Sequence, residues 1–168
     1  MSLKQLEIEV EKTKRFVQGV FALRKQTNTL SKVHDWSHVH AVARHAKIVA
    51  EVLAASQGMS GEKIKRIGLV AEAAGYLHDV ARKPTESQPH GIVGQKSIQQ
   101  MQQKHFFSAF TPDEISDIAA AVGLHESSWK ELEEKTAGVP AVTPLYAVAM
   151  ESAMRLHAIN ALKDMPAW

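Results

Sequence analysis

The sequence reads Ala74-Gly75-Tyr76-Leu77-His78-Asp79-Val80-Ala81-Arg82 near the end of an otherwise apolar segment, so that an imidazole and a carboxylate stand side by side. The apolar residues that precede His78 in steps of three and four are Ile64, Ile67, Ala71 and Ala74. This spacing predicts a helix whose buried face leads to the histidine. A buried histidine needs a partner, because an unpaired buried polar group costs roughly 1–3 kcal/mol. A backbone carbonyl can be that partner, and so can the other members of a functional site.

Length and composition narrow the class of protein. The chain has 168 residues, which predicts a single domain over residues 1–168 with a core of its own. Charged residues make up 23% of the sequence and the net charge is only +2, so we expect neither nucleic acid nor a membrane surface as partner. The absence of cysteine excludes disulfides and thiolate metal sites and suits a reducing cytoplasm. We find no membrane-spanning run and expect no signal peptide at the N-terminus.

The hydrophobic pattern predicts one helix after another, with no convincing strand alternation. The predicted helices cover about 2–25, 35–56, 60–82, 90–104, 111–125 and 143–163. Polar or Pro- and Gly-containing connections are expected over 26–33, 85–89 and 126–142. We therefore predict an all-α fold, a bundle of about six helices in which the N-terminal helix, residues 1–25, packs on the core.

Histidines stand near four of these helix ends. His34 and His38 lie four residues apart at the start of the second helix, a spacing that can direct both rings to one side. His90 opens the fourth helix, and His125, like His78, continues a buried helical face to its end. Imidazole and carboxylate are good ligands for divalent transition metals, so these converging ends predict an open metal site.

Each histidine also has a simpler explanation, because His is commonly half-exposed and often caps a helix. We assign that simpler role, a capping or solvated side chain, to the four remaining histidines, which are His40, His45, His105 and His157. A plain helical scaffold whose histidines only cap helices is the corresponding alternative for the whole protein.

The order of the motifs resembles the HD-domain superfamily of metal-dependent phosphohydrolases, and most closely its small bacterial branch that begins with His-Asp-Trp-x-His. The matching elements follow one another as His34–His38, His78-Asp79, His90 and a histidine-serine element, here His125-Glu126-Ser127 with one residue inserted. The resemblance covers roughly residues 32–161. It implies an all-helical bundle, in agreement with the hydrophobic pattern.

The resemblance also implies a metal site. His38, His78 and Asp79 match the metal ligands of the family, for an ion that can be Fe, Mn, Zn, Ni, Co or Mg. His90 and His125 match positions that in other members hold a second metal or contact the substrate phosphate. The implied catalytic residues are therefore Asp79, His90 and His125, with Asp79 orienting a metal-activated water or taking its proton.

Three further residues are expected near the phosphate of the substrate: His34, Arg82 and Lys83. Arg82 and Lys83 come just after the motif and can hold phosphate oxygens. Their alternative is a solvated position near a helix C-terminus, where a positive charge is favoured by the helix dipole.

The chain departs from the family pattern at two places. Ala41 stands where the family often has an arginine, and the stretch 152–156 reads Ser-Ala-Met-Arg-Leu where the family has Asp-Ala-Asp-Arg-Leu. Met154 thus replaces a metal-binding aspartate. We predict that Glu151, one turn earlier, is the fourth ligand, because its helical neighbours are apolar and an inward carboxylate needs a cation. Those neighbours are Ala147, Val148, Met154 and Ala158.

Together these features predict a cytoplasmic, metal-dependent phosphohydrolase that acts on a nucleotide or other small phosphate ester through a metal-activated water. A homodimer is compatible with this prediction. The alternative is a degenerate, non-catalytic HD module that binds a nucleotide or a partner protein without turning it over.

Overall fold

The structure is a computed structural model, and it describes residues 2–29, 34–82, 89–137, 146, 148–149 and 151–152. Over these residues it is a bundle of α-helices without a strand, which confirms the predicted all-α fold. The six helices are α1 Leu3–Gln26, α2 Trp36–Ser56, α3 Gly61–Leu77, α4 His90–Gln103, α5 Pro112–Leu124 and α6 Trp129–Thr136.

Side-chain caps define where the helices begin. Ser2 accepts a hydrogen bond from the amide of Gln5 at the start of α1, and Asp35 does the same for His38 at the start of α2. Thr111 and Glu114 form a reciprocal capping box at the start of α5. Such caps satisfy amides that have no partner inside the helix. These starts agree with the predicted ones because a cap depends on residues only a few positions apart.

Helix α3 lies at the centre of the bundle and packs against α1, α2 and α5, while α4 packs against α5. Gly75 allows α3 to approach α2 closely. A Cβ atom at this position would lie 3.0 Å from the backbone nitrogen of Ala43 and would clash with its Cα atom. The contact places the C-terminal end of α3 beside the first turns of α2.

A second close approach joins α4 to α5. A Cβ atom on Gly91 would lie 2.9 Å from the carbonyl oxygen of Val122. Because Gly91 follows His90 and Val122 precedes His125, this contact brings the two histidines to the same end of the bundle.

Two predicted boundaries are wrong. We expected α3 to continue to about residue 82, but it ends at Leu77, and His78 and Asp79 lie in the turn that follows. The turn is tightened by a hydrogen bond from the amide of Val80 to the carbonyl of Leu77, at 3.1 Å. Residues 126–142 were expected to be a connection, but α6 forms within them because Ser128 and Glu131 make a third capping box.

The last predicted helix, 143–163, lies mostly outside the described residues, although residues 148–149 and 151–152 are helical. Lys83 and Met154 also lie outside them. Among the helices that the structure describes, none combines the length and the apolar character needed to cross a membrane.

Candidate metal centre

Four helix ends meet at a cluster of imidazoles around one carboxylate. His78 and Asp79 follow the last residue of α3, and each is only 1% exposed. His125 follows α5 and is equally buried, while His38 and His90 are half-buried in the first turns of α2 and α4. The His–Asp cluster consists of His34, His38, His78, Asp79, His90 and His125.

Asp79 is the centre of the cluster. Its Oδ2 atom lies 3.0 Å from Nδ1 of His34, 3.4 Å from Nε2 of His78 and 3.8 Å from Nε2 of His38. Its Oδ1 atom lies 3.0 Å from Nε2 of His90, yet no described group is aligned to donate a hydrogen bond to it. Because a buried carboxylate oxygen without a hydrogen bond is costly, this oxygen is suited to contact a cation.

The backbone determines which ring nitrogens face the cluster. His78 Nδ1 lies 2.7 Å from the carbonyl oxygen of Gly75, and His125 Nδ1 lies 2.6 Å from that of Val122. A carbonyl oxygen only accepts hydrogen bonds, so each Nδ1 must donate its proton. When either ring is neutral, its Nε2 therefore carries a lone pair that faces the cluster. Metal-binding histidines are commonly oriented in this way.

Two pairs of ring nitrogens lie unusually close together. The Nε2 atoms of His38 and His78 are 3.3 Å apart, and those of His90 and His125 are 2.9 Å apart. Lone pairs at this distance repel each other unless a proton or a cation lies between them. Zinc–nitrogen bonds of about 2.0–2.1 Å place adjacent ligand atoms roughly 3–3.5 Å apart, so both separations suit a shared metal ion.

The electrostatics of the cluster favour a charged carboxylate and a neutral imidazole. Burial by itself would raise the pKa of the Asp79 carboxyl, but attraction to His78 and a hydrogen bond from His34 outweigh it and hold that pKa well below its usual range. Burial, together with the charge of His78, lowers the pKa of His125 to about 3. The charged carboxylate of Asp79 and the neutral imidazole of His125 are both ligand types that divalent transition metals prefer.

The cluster contains two groups of three ligand atoms that share Asp79. One comprises His34, His38 and Asp79, and the other comprises Asp79, His90 and His125. The ligand atoms of His38, His78 and Asp79 are also within 3.8 Å of one another. The residues present therefore fit one divalent ion, or two ions with Asp79 between them.

Arg82 lies at the edge of the cluster and is partly exposed. Its Nη1 atom is 3.5 Å from Oδ1 of Asp79 and 3.3 Å from Nε2 of His90. It is also 3.5 Å from Nδ1 of His34, which lies against the Asp79 carboxylate; the expected place of His34 near the phosphate stays a prediction. The guanidinium thus adjoins both groups of candidate ligands and keeps part of its surface open to solvent.

The other residues named in the sequence analysis are not part of the His–Asp cluster as defined above. Neither group of candidate ligands in the described part of the chain includes Glu151, which is half-buried, so its role as fourth ligand stays a prediction. Lys83 lies outside the described residues. Of the histidines that we assigned a simpler role, His40 lies 3.1 Å from the hydroxyl of Tyr76 and His105 is exposed on the surface.

Glu126 belongs to the site, although the sequence analysis gave it no role and only placed it inside the element His125-Glu126-Ser127. Its Oε1 atom lies 2.9 Å from His90 Nδ1, and its Oε2 atom accepts a hydrogen bond from the amide of Gly91 at 3.0 Å. Pro89, the residue before α4, provides no side-chain cap, so the first amides of α4 need an acceptor from elsewhere. In the sequence, the proline at position 89 was the sign that the first amides of α4 need an acceptor from another part of the chain.

We expect Glu126→Ala to weaken divalent-metal binding by about 10- to 100-fold, because His90 loses the carboxylate that orients its ring. Titration calorimetry with Mn²⁺, Co²⁺ and Zn²⁺ measures the affinity. Glu134→Ala, at an exposed position of α6, is the matched control and should bind as the wild type does. Equal affinities for the two variants would show that Glu126 does not orient a ligand.

Comparisons of the chain with protein-family models, with curated proteins and with solved structures found no match. The resemblance to HD-domain proteins therefore rests on the order of the motifs. The geometry of the His–Asp cluster is the independent observation that bears on function.

Proposed function

We propose that this protein is a metal-dependent phosphohydrolase of the HD type that acts on a nucleotide or another small phosphate ester. The observation that carries the proposal is the buried Asp79 carboxylate, whose Oδ1 atom accepts no aligned hydrogen bond within the described part of the chain and whose neighbours are imidazole nitrogens and the Arg82 guanidinium. Backbone carbonyls hold the far nitrogens of His78 and His125, so their near nitrogens are available to a metal ion.

His38, His78 and Asp79 are the proposed ligands of one ion, with His34 adjoining them. Asp79, His90 and His125 are the proposed second position. A divalent ion held there supplies Lewis-acid activation of water and polarisation of a phosphoryl oxygen.

The residues themselves orient the substrate and the water. The Asp79 carboxylate lies beside the proposed ion, where it can orient a water by accepting a hydrogen bond or can take its proton. Arg82 presents N–H donors at the partly exposed edge of the cluster, where a phosphate oxygen can accept them. His125, with its lowered pKa, stays neutral at physiological pH.

A non-catalytic HD module that binds a nucleotide or a partner protein is the second candidate. Two observations favour it: Met154 stands where the family has a metal-binding aspartate, and Glu151 belongs to neither group of candidate ligands. Such a module would retain the cluster and bind its ligand without turnover.

The test is a screen of phosphomonoesters, phosphodiesters and nucleotides with protein that has been stripped by a chelator and reloaded with single metals. We expect hydrolysis that requires the metal. His90→Gln should lower kcat by at least about 100-fold, because a side chain of the reacting site is lost, while the unfolding midpoint in chelator changes little. His105→Asn is the matched control, since Asn tolerates the left-handed backbone of this exposed position.

The outcomes separate the two candidates. Metal-dependent turnover that His90→Gln abolishes supports the phosphohydrolase. Binding of a nucleotide without turnover on any substrate supports the non-catalytic module. A wild-type protein that binds neither metal nor nucleotide would contradict both candidates and support the plain helical scaffold.

A further inference from the structure

Arg24 joins the N-terminal helix to the turn that carries the His–Asp motif. Its Nη1 atom donates a hydrogen bond to the carbonyl oxygen of Asp79 at 3.2 Å, and its Nη2 atom donates one to that of Val80 at 2.6 Å. Arg24 lies in the last turn of α1, 55 positions before Asp79 in the chain. The contact is therefore a product of the tertiary fold.

Both carbonyl groups lie in the turn that follows α3. The carbonyl oxygen of Asp79 also accepts a hydrogen bond from the amide of Arg82 at 3.1 Å, so Arg24 adds a second hydrogen bond to it and ties the turn to α1. A positive charge in this place is also favoured by the helix dipole. Arg24 thus adds a hydrogen bond to each of the two carbonyl groups and places a positive charge near the C-terminal end of α3.

The guanidinium itself is held in place. It lies over the ring of Phe21, with its central carbon 5.3 Å from the ring centroid, and Phe21 is buried in the core. Such a cation–π contact restrains an arginine side chain without consuming its N–H donors. Phe21 therefore helps to orient the N–H donors of Arg24 toward the turn.

We propose that Arg24 is a positioning residue for the metal centre, an inference that rests on the proposed metal-binding function. It acts through the backbone of Asp79, whose carboxylate must stay between the imidazoles of three other helix ends. A small rotation of this backbone would move both carboxylate oxygens away from the candidate ligands. The N-terminal helix therefore contributes to metal affinity as well as to the core.

Arg66 offers a matched comparison. It lies in the second turn of α3, at the end of the helix opposite to Asp79, and joins it to α5. Its Nε and Nη2 atoms donate to the carboxylate of Glu114 at 2.6 Å and 2.8 Å. Loss of Arg66 should therefore destabilise the fold without touching the turn after Leu77.

The experiment compares Arg24→Ala, Arg24→Lys and Arg66→Ala in the full chain. Calorimetry and the absorption spectrum of bound Co²⁺ measure metal binding, and thermal unfolding in chelator measures stability. We expect Arg24→Ala to weaken Co²⁺ binding by about 10- to 100-fold, as the loss of a supporting contact around a metal site typically does. Arg24→Lys, which keeps the charge and one donor, should recover part of the affinity. Arg66→Ala should lower the unfolding midpoint and leave both affinity and spectrum unchanged.

Each result decides the inference. Wild-type affinity in a folded Arg24→Ala protein would overturn the role of Arg24 and leave the proposed metal centre intact. Equal losses of affinity in Arg24→Ala and Arg66→Ala would reduce Arg24 to a general stabilising contact, which also overturns it. A wild-type protein that binds no Co²⁺, Mn²⁺ or Zn²⁺ would instead overturn the proposed function, and the positioning role with it.

Discussion

Replacement of Asp79 by asparagine should abolish stoichiometric metal binding. The substitution preserves the shape of the side chain and removes its charge. One of the two carboxylate oxygens becomes an NH2 group, which donates hydrogen bonds and cannot bind a metal ion. Asp79 belongs to both groups of candidate ligands, so its loss affects every position that an ion can take. We expect a loss of affinity larger than the roughly 10- to 100-fold typical of supporting residues.

Elemental analysis of the purified variant and calorimetry with Mn²⁺, Co²⁺ and Zn²⁺ check this prediction. Asp113→Asn is the matched control, because it makes the same chemical change at an exposed position of α5. Metal content equal to that of the wild type in Asp79→Asn would contradict the assignment of the cluster as a metal centre.

Replacement of Gly75 by alanine should destabilise the bundle and weaken the metal centre together. A Cβ atom there would clash with the Cα atom of Ala43, which is backbone and cannot rotate away. Overpacking of this kind typically costs about 1–3 kcal/mol, more than the gain of up to about 1 kcal/mol in helix propensity. Because α2 carries His38 and α3 leads to His78, separation of the two helices would also spread the ligands.

Urea unfolding in chelator measures the stability, and calorimetry measures the metal affinity. The control is Gly19→Ala on the exposed side of α1, where a Cβ atom meets nothing within 4 Å. That change should stabilise the protein by about 0.5–1 kcal/mol, because alanine is the better helix former. A Gly75→Ala variant as stable as the Gly19→Ala variant would contradict the close packing of α2 on α3.

Local features of the sequence were sufficient to predict most of the helices. The starts of α1, α2, α3 and α5 agree with prediction because caps such as Ser2 and Thr111 act on amides only two or three residues away. The start of α4 at His90 also agrees, although it has no side-chain cap. The burial of His78 and His125 also follows from the spacing of the apolar residues before them. The prediction was wrong at α6. Gly138 and Pro140 indicate a connection, but the capping box of Ser128 and Glu131 begins a helix before them.

The composition of the cluster could be predicted only in part. The sequence singled out its histidines and Asp79 because each stands at a helix end, but periodicity contains no distances between helices. The distance of His34 from Asp79 depends on how the start of α2 packs against the end of α3, and the structure places the two side chains 3.0 Å apart. The end of α3 at Leu77 likewise depends on the turn that follows it.

The sequence by itself determined that this protein is a helical bundle and which residue types stand at its helix ends, because caps and apolar spacing act over a few residues. Only the tertiary structure decided which side chains support the cluster. Glu126 reaches His90 across 36 positions and Arg24 reaches Asp79 across 55, and neither has a local motif. Their contacts exist because α4 packs on α5 and α1 packs on α3 at close range, and that packing is set by the whole core.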